Sequence, residues 1–176
     1  AVQFFINVST DKAANPTSVL GHSKRLAERL TAEFGDSASK PYLSVRFGNV
    51  LGSRGSMLPL FTSMIGKGGP LTVTHPDVTR YFMTIPEACQ LVVQAGAIGR
   101  SGEVLILDMG HPVRIMDIAK RMIEMSGRKV EIVFTGLREG EKLHEVLRSS
   151  GEEDLRPKHP KISHARVPGI DVAELD

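Results

Sequence analysis

Apolar side chains follow one another closely over residues 2–8, broken only by Gln3 and Asn7, and such a short bulky run predicts a buried strand. The period then lengthens. Val19, Leu20, Ser23, Leu26, Ala27, Leu30 and Phe34 recur at helical spacing, with Asn15 placed to cap the helix, Pro16 at its first position and Gly35 at its end. Residues 42–47 read as a second strand and run into a glycine-containing loop, 48–55. Helical spacing returns over 57–65, with Pro59 in the first turn, and breaks at 66–70 before a short strand, 71–74. Thr84 and Glu87 make a capping-box pair ahead of a helix through Ala97. Residues 103–107 are a third strand. Ile115, Ile118, Ala119, Met122 and Ile123 then mark a helix that Gly127 ends. A strand over 130–134 and a short helix over 140–147 follow. Strands and helices alternate, which predicts an α/β class, with the folded region over 1–150 and a weakly periodic polar tail over 151–176.

Composition narrows this picture. A chain of 176 residues, 41% of them hydrophobic, suits one domain with a proper core. A net charge of +2 with acids and bases interspersed offers no nucleic-acid surface. Cys89 is the lone cysteine, so no internal disulfide or CxxC motif exists; beside Ala88, Leu91 and Val92 it is expected to be a small buried hydrophobe. The histidines at 22, 75, 111, 144, 159 and 164 lack ligand spacing, and no metal is expected. No apolar run spans a bilayer and no signal peptide is visible, so a cytoplasmic chain is expected. An apolar strand at the very start, with nothing before it to pair with, looks like part of a larger protein.

Four stretches carry candidate chemistry. Ser9-Thr10-Asp11-Lys12 ends the first strand, and Lys24 follows on the helix, one turn after Leu20. Such groups at a buried strand end are what an α/β enzyme uses on a substrate: a hydroxyl to hold an oxygen, a carboxyl as acid, an ammonium to tune both. Spacing alone favours turn residues with solvated lysines. The loop at 48–55 follows a strand as a phosphate loop does, but its G-x-x-x-G-x-x-G spacing is not the dinucleotide G-x-G-x-x-G. Arg80, before Tyr81-Phe82, could clamp a phosphate or serve as an ordinary ion-pair partner. Glu139 and Glu141 could complement a helix dipole or grip a ribose diol.

Taken in order, these pieces resemble a known family. Ser9-Thr10-Asp11-Lys12-Ala13, Asn15-Pro16-Thr17, Gly21-His22-Ser23-Lys24, Arg46-Phe47-Gly48-Asn49-Val50-Leu51-Gly52-Ser53, Arg80-Tyr81-Phe82-Met83-Thr84-Ile85-Pro86-Glu87-Ala88 and Gly140-Glu141-Lys142 resemble the C-terminal half of the polysaccharide-biosynthesis branch of the extended short-chain dehydrogenase/reductases. That branch includes UDP-N-acetylglucosamine 4,6-dehydratases and related capsule and O-antigen enzymes. The resemblance covers residues 2–150. It implies the C-terminal half of a Rossmann-like, NAD(P)-binding fold that lacks the glycine-rich first half.

In that family NAD(P) takes a hydride from sugar C4, water leaves across C5 and C6, and the hydride returns to C6. By resemblance, Thr10 would bond the C4 oxygen, Asp11 would be the acid towards the C6 hydroxyl, and Lys12 the base at C5. Lys24 matches the lysine of Y-x-x-x-K and, with Ser9, would contact the cofactor. Asn49, Ser53 and Arg80 would hold the nucleotide diphosphate, and Glu141 the nucleoside ribose. Leu20 stands where that pair has its tyrosine; the membrane-anchored subgroup also carries an aliphatic residue there. The expectation is therefore part of a UDP-N-acetylglucosamine-type 4,6-dehydratase, inactive as 176 residues alone. Its NAD(P) would be bound mainly by a missing N-terminal half, and the full protein would be a homo-oligomer at the cytoplasmic face of a bacterial inner membrane. A C4 epimerase and a non-catalytic nucleotide-sugar-binding module are the alternatives.

Overall fold

The computed structural model describes residues 3–37, 40–152 and 158–171. In chain order the elements are β1 (Phe5–Val8), a 3₁₀ turn (Asp11–Ala13), α1 (Val19–Ser37), β2 (Tyr42–Arg46), β3 (Asn49–Leu51), α2 (Met57–Gly66), β4 (Leu71–Val73), β5 (Thr79–Arg80), β6 (Phe82–Thr84), α3 (Ile85–Ile98), β7 (Glu103–Leu107), β8 (Val113–Arg114), α4 (Ile115–Ser126), β9 (Ile132–Phe134) and β10 (Ile162–Arg166). They fall into two compact units.

The first unit comprises Ala1–Phe47, Glu87–Asp108 and Val146–Asp176. Its sheet has the order β1-β2-β7-β10, with β1, β2 and β7 parallel and β10 antiparallel to β7. Leu43, Val45, Leu105 and Leu107 are fully buried, as the continuous apolar runs of a parallel sheet require. Each such side chain contributes about 1.5–3 kcal/mol. The three expected parallel strands are present, but β1 is not the buried strand expected, since Phe5 and Val8 are exposed. β10, however, lies in the stretch expected to be a polar tail. Its Ser163, His164 and Arg166 hide it from a hydrophobicity reading, and only its pairing along β7, from Ile162 opposite Leu107 to Arg166 opposite Glu103, makes it a strand.

Helix α1 departs most from expectation. It begins at Val19, where Ser18 Oγ accepts from the Gly21 N–H at 3.1 Å, whereas Asn15 takes φ 45° in the preceding turn. It also runs past Gly35. A Cβ at Gly35 would stand 2.7 Å from Gly102 N and 2.9 Å from Tyr42 O, so the glycine permits close packing and does not end the helix. The buried stripe is Gly21, Glu28, Thr31, Ala32 and Gly35, while Val19, Leu20 and Phe34 of the apolar series are exposed. Polar Glu28 can lie inside because it has a cationic partner there. Helix α3 buries Ala88, Leu91 and Ala95; Cys89, one residue around the helix from Ala88, is exposed and not the buried residue expected.

The second unit comprises Gly48–Pro86 and Met109–Glu145. It contains three strand pairs, β3 with β6 and β4 with β9 in parallel, and β5 with β8 antiparallel. Phe61 and Ile65 of α2, Leu71 and Val73 of β4, and Ile115 and Ala119 of α4 form its core. Gly127 ends α4 in the left-handed conformation, φ 65°. Two expectations are corrected. Part of the 48–55 loop is strand β3, because Asn49–Leu51 pair with Phe82–Thr84. Residues 140–147 are not helical: Gly140 has φ 74°, and the backbone beyond it pairs with β5, Thr79 N donating to Leu143 O at 3.0 Å. Among the described residues, no helix is long and apolar enough to cross a membrane.

Candidate functional site

In the first unit the β1–β2 ladder continues past both strands. Ser9 N donates to Val45 O at 2.8 Å and Asp11 N to Phe47 O at 3.0 Å. The chain then tightens into the 3₁₀ turn, and Thr10 caps it, its Oγ1 accepting from Lys12 N. The same hydroxyl donates to Asp11 Oδ1 at 3.0 Å, and Lys12 Nζ meets that oxygen at 3.0 Å. Asp11 is fully buried, and its Oδ2 has no hydrogen-bond partner among the described residues. A turn residue needs no such burial, and an unpaired buried carboxylate oxygen is costly. The structure thus brings Thr10, Asp11 and Lys12 together as a turn that also holds a buried carboxyl with one unengaged oxygen.

Lys24 lies at the same strand end, its Nζ donating to Val8 O at 3.1 Å. An ammonium carries three donors, and Val8 engages one, so Lys24 suits the ribose hydroxyls of a dinucleotide. One turn earlier, Leu20 offers only an exposed alkyl group. Ser9, expected to touch cofactor, is buried and donates to Glu28 Oε1 at 2.6 Å.

That contact opens onto a cluster that the sequence reading missed. Arg46 donates to Glu28 from Nε at 2.9 Å and from Nη2 at 2.6 Å, and to Glu152 from Nη1 at 2.7 Å. Arg25 adds a 2.6 Å contact to Glu152. The side chains of Arg46 and Glu28 are both fully buried. Burial by itself would push the Glu152 carboxyl up, but hydrogen bonds and charge from Arg46 outweigh it and hold the group at about 2. Burial likewise opposes the charge on Arg46, and the two glutamates reverse it, raising its pKa above the usual value. One signal was available: an Arg inside the buried run 42–47 requires a buried acid.

In the second unit, Asn49, Arg80 and Glu141 line one cavity of about 250 Å³, near the lower end of small-molecule sites (roughly 300 Å³ upward). Phe61 and Phe82 give it apolar walls, and Thr74 and Arg138 add polar ones. Arg80 donates to Thr79 O at 2.7 Å, Leu143 O at 3.2 Å and Glu141 Oε1 at 3.1 Å, which engages three of its five N–H donors. Glu141 also accepts from Thr74 Oγ1 at 3.2 Å and from Arg138 N at 3.3 Å. Ser53 is not in the cavity lining; its hydroxyl donates to Val50 O at 2.8 Å within the turn.

A mostly parallel sheet with polar groups at a strand end, and a separate unit carrying a mixed polar and apolar pocket, fit an α/β fold of the Rossmann-like short-chain dehydrogenase/reductase class. Within it, the chain belongs to the polysaccharide biosynthesis protein family, which matches residues 1–167. It is 51% identical to the capsular polysaccharide biosynthesis protein CapD of Staphylococcus aureus, over 99% of this chain and 30% of that one. It is 37% identical to a UDP-glucose 4-epimerase of Rickettsia akari, over 93% of this chain and 48% of the relative. Among solved structures, Pen from Bacillus thuringiensis superimposes with a TM-score of 0.85 at 34% identity, over 96% of this chain and 54% of Pen. The dTDP-glucose 4,6-dehydratase of Bacillus anthracis, solved in complex with NAD, shares the fold at a TM-score of 0.69 and 18% identity, over 81% of this chain and 52% of the enzyme. The chain therefore spans about half of these structures, or less of its curated relatives, and corresponds to their C-terminal part.

Proposed function

We propose that this chain is the substrate-binding part of a nucleotide-sugar 4,6-dehydratase of glycan biosynthesis, acting on UDP-N-acetylglucosamine. The observation that carries this reading is the buried Asp11 carboxyl, one oxygen without a partner among the described residues, beside the Thr10 hydroxyl and the Lys12 side chain. Dehydration needs an acid where a hydroxyl leaves, and C4 epimerisation does not. Asp11, in its protonated form, gives its proton to the C6 hydroxyl, which departs as water; Lys12, in its neutral form, takes the C5 proton and returns it to C5 when the hydride goes back to C6; Thr10 holds the C4 oxygen. Bound NAD(P) supplies the hydride acceptor and donor. Lys24 binds its ribose, and the rest of the cofactor lies on an N-terminal part of the same, longer protein, a homo-oligomer at the cytoplasmic face of a bacterial membrane. Asn49 and Arg80 take the diphosphate, with Ser53 on the adjoining loop, and Glu141 takes the nucleoside ribose. Leu20 cannot accept the C4 hydroxyl proton, so Asp11 or Lys12 covers that transfer as well.

The test is turnover of UDP-N-acetylglucosamine by the full-length protein, with the product read by NMR. A 6-deoxy-4-keto product is expected, and Asp11→Asn should lower kcat about a thousandfold while sugar-nucleotide affinity is kept. The 176 residues alone should give none. A product with its C6 hydroxyl intact and C4 inverted would replace this reading with the 4-epimerase one, which the Rickettsia relative's name favours. Calorimetric binding without any turnover of the full-length protein would favour a non-catalytic module.

A further inference from the structure

We infer that Glu28 is a positioning residue for the Thr10-Asp11-Lys12 site and acts through the hydroxyl of Ser9. The inference rests on the catalytic reading of that site. Four donors converge on the Glu28 carboxylate: Ser9 Oγ at 2.6 Å and Arg46 Nε at 2.9 Å on Oε1, and Arg46 Nη2 at 2.6 Å and Arg25 Nη1 at 3.4 Å on Oε2. Both oxygens are engaged, so the group has a set direction. Arg46 is fixed from its other side by Glu152 and by Leu147 O at 3.0 Å. The cluster thereby ties α1, the end of β2 and the 147–152 segment to one hydroxyl at the end of β1.

That hydroxyl is well placed to set Asp11. Thr10 is still extended, with φ −146° and ψ 156°, so the side chains of Ser9 and Asp11 leave the chain on the same side. The backbone bonds to Val45 O and Phe47 O hold residues 9 and 11 in the sheet plane but do not fix the tilt of the strand end about that plane. The Ser9–Glu28 bond adds the missing direction. Stability alone gives little reason for the arrangement, because a buried ion cluster is commonly matched or exceeded by well-packed apolar residues. What charged groups add is a directed hydrogen bond where the geometry of the neighbouring acid matters.

The test uses the full-length protein. Ser9→Ala removes one hydrogen bond and leaves the ion cluster intact, and Ser9→Thr restores the hydroxyl. Ser9→Ala should lower kcat about ten- to a hundredfold with KM for the nucleotide sugar within about twofold, and Ser9→Thr should recover most of the loss. Glu28→Gln should cost a similar factor, and the double variant should add little to either loss. An unchanged kcat in Ser9→Ala would overturn the inference. So would independent, multiplying losses, or a Ser9→Ala protein that does not fold. Weaker NAD(P) binding with kcat kept at saturation would also overturn it, making Ser9 a cofactor contact instead. Absence of any wild-type turnover would count against the proposed function, not against this inference. Crystal structures then decide: Asp11 swung away from Thr10 and Lys12 in Ser9→Ala supports it, and an unmoved Asp11 sinks it.

Discussion

Arg46 and Arg80 are near opposites in the two units. The Arg46 side chain is fully buried and bound to two carboxylates, Glu28 and Glu152, whose partners among the described residues are cations, a hydroxyl and backbone. Arg80 has one carboxylate partner, Glu141, keeps 11% of its side chain exposed and borders a cavity. The first arrangement spends its donors inside the protein and can only orient its surroundings. The second leaves donors and a carboxylate edge at an open space and can receive a ligand. An arginine's neighbours, more than its presence in a motif, separate a structural cluster from a binding one.

The largest effect expected from this contrast is at Arg46. Arg46→Leu leaves two buried carboxylates with only the partly exposed Arg25 as a shared cation among the described residues, and denaturant unfolding should show a loss of about 3–5 kcal/mol. A loss below about 1 kcal/mol would mean the cluster is far wetter than its burial indicates. Acid sharpens the same point. The Glu152 carboxyl is held at about 2 in the folded protein, below its ordinary 4.5, so its stabilisation is complete above about 4.5 and drains away as pH falls towards 2. That window should cost about 3 kcal/mol, and Glu152→Gln should flatten the stability–pH curve across it. An equally steep acid limb in Glu152→Gln would assign the loss to other carboxyls.

Effects in the second unit should appear in binding before stability. Arg80→Ala should weaken sugar-nucleotide binding about ten- to a hundredfold by calorimetry, the value of one or two charge-assisted hydrogen bonds. Unchanged affinity would remove the cavity from the proposed site. Ser53→Ala should be the mildest. Its hydroxyl serves the Val50 carbonyl, so stability should fall by about 0.5–1 kcal/mol and binding by less than about twofold. A loss as large as that of Arg80→Ala would show that the Ser53 hydroxyl contacts the ligand directly.

The contrast also explains what could be read from the chain. The apolar runs at 42–47 and 103–107 declared themselves as strands because a parallel sheet buries both faces and tolerates little else. The Thr10-Asp11-Lys12 cluster was legible as polar groups gathered at a strand end, since its members are neighbours in sequence. Arg80 and Glu141 were each ambiguous alone, and their meeting at 3.1 Å could not be read from a separation of 61 residues. Glu28 was hidden for a different reason. A glutamate on a helix normally signals solvent, and only Arg46 on the facing strand reverses that.

The sequence by itself determined the alternation of strands and helices, the family, and the local cluster that holds Asp11, because period and neighbouring side chains act over a few residues. Tertiary structure alone decided that β10 is a strand, that the buried stripe of α1 is polar and glycine-lined, and that Ser9 answers to Glu28. Each of these depends on a partner far along the chain that supplies the missing hydrogen bonds or countercharge. Without that partner the same residues belong in water.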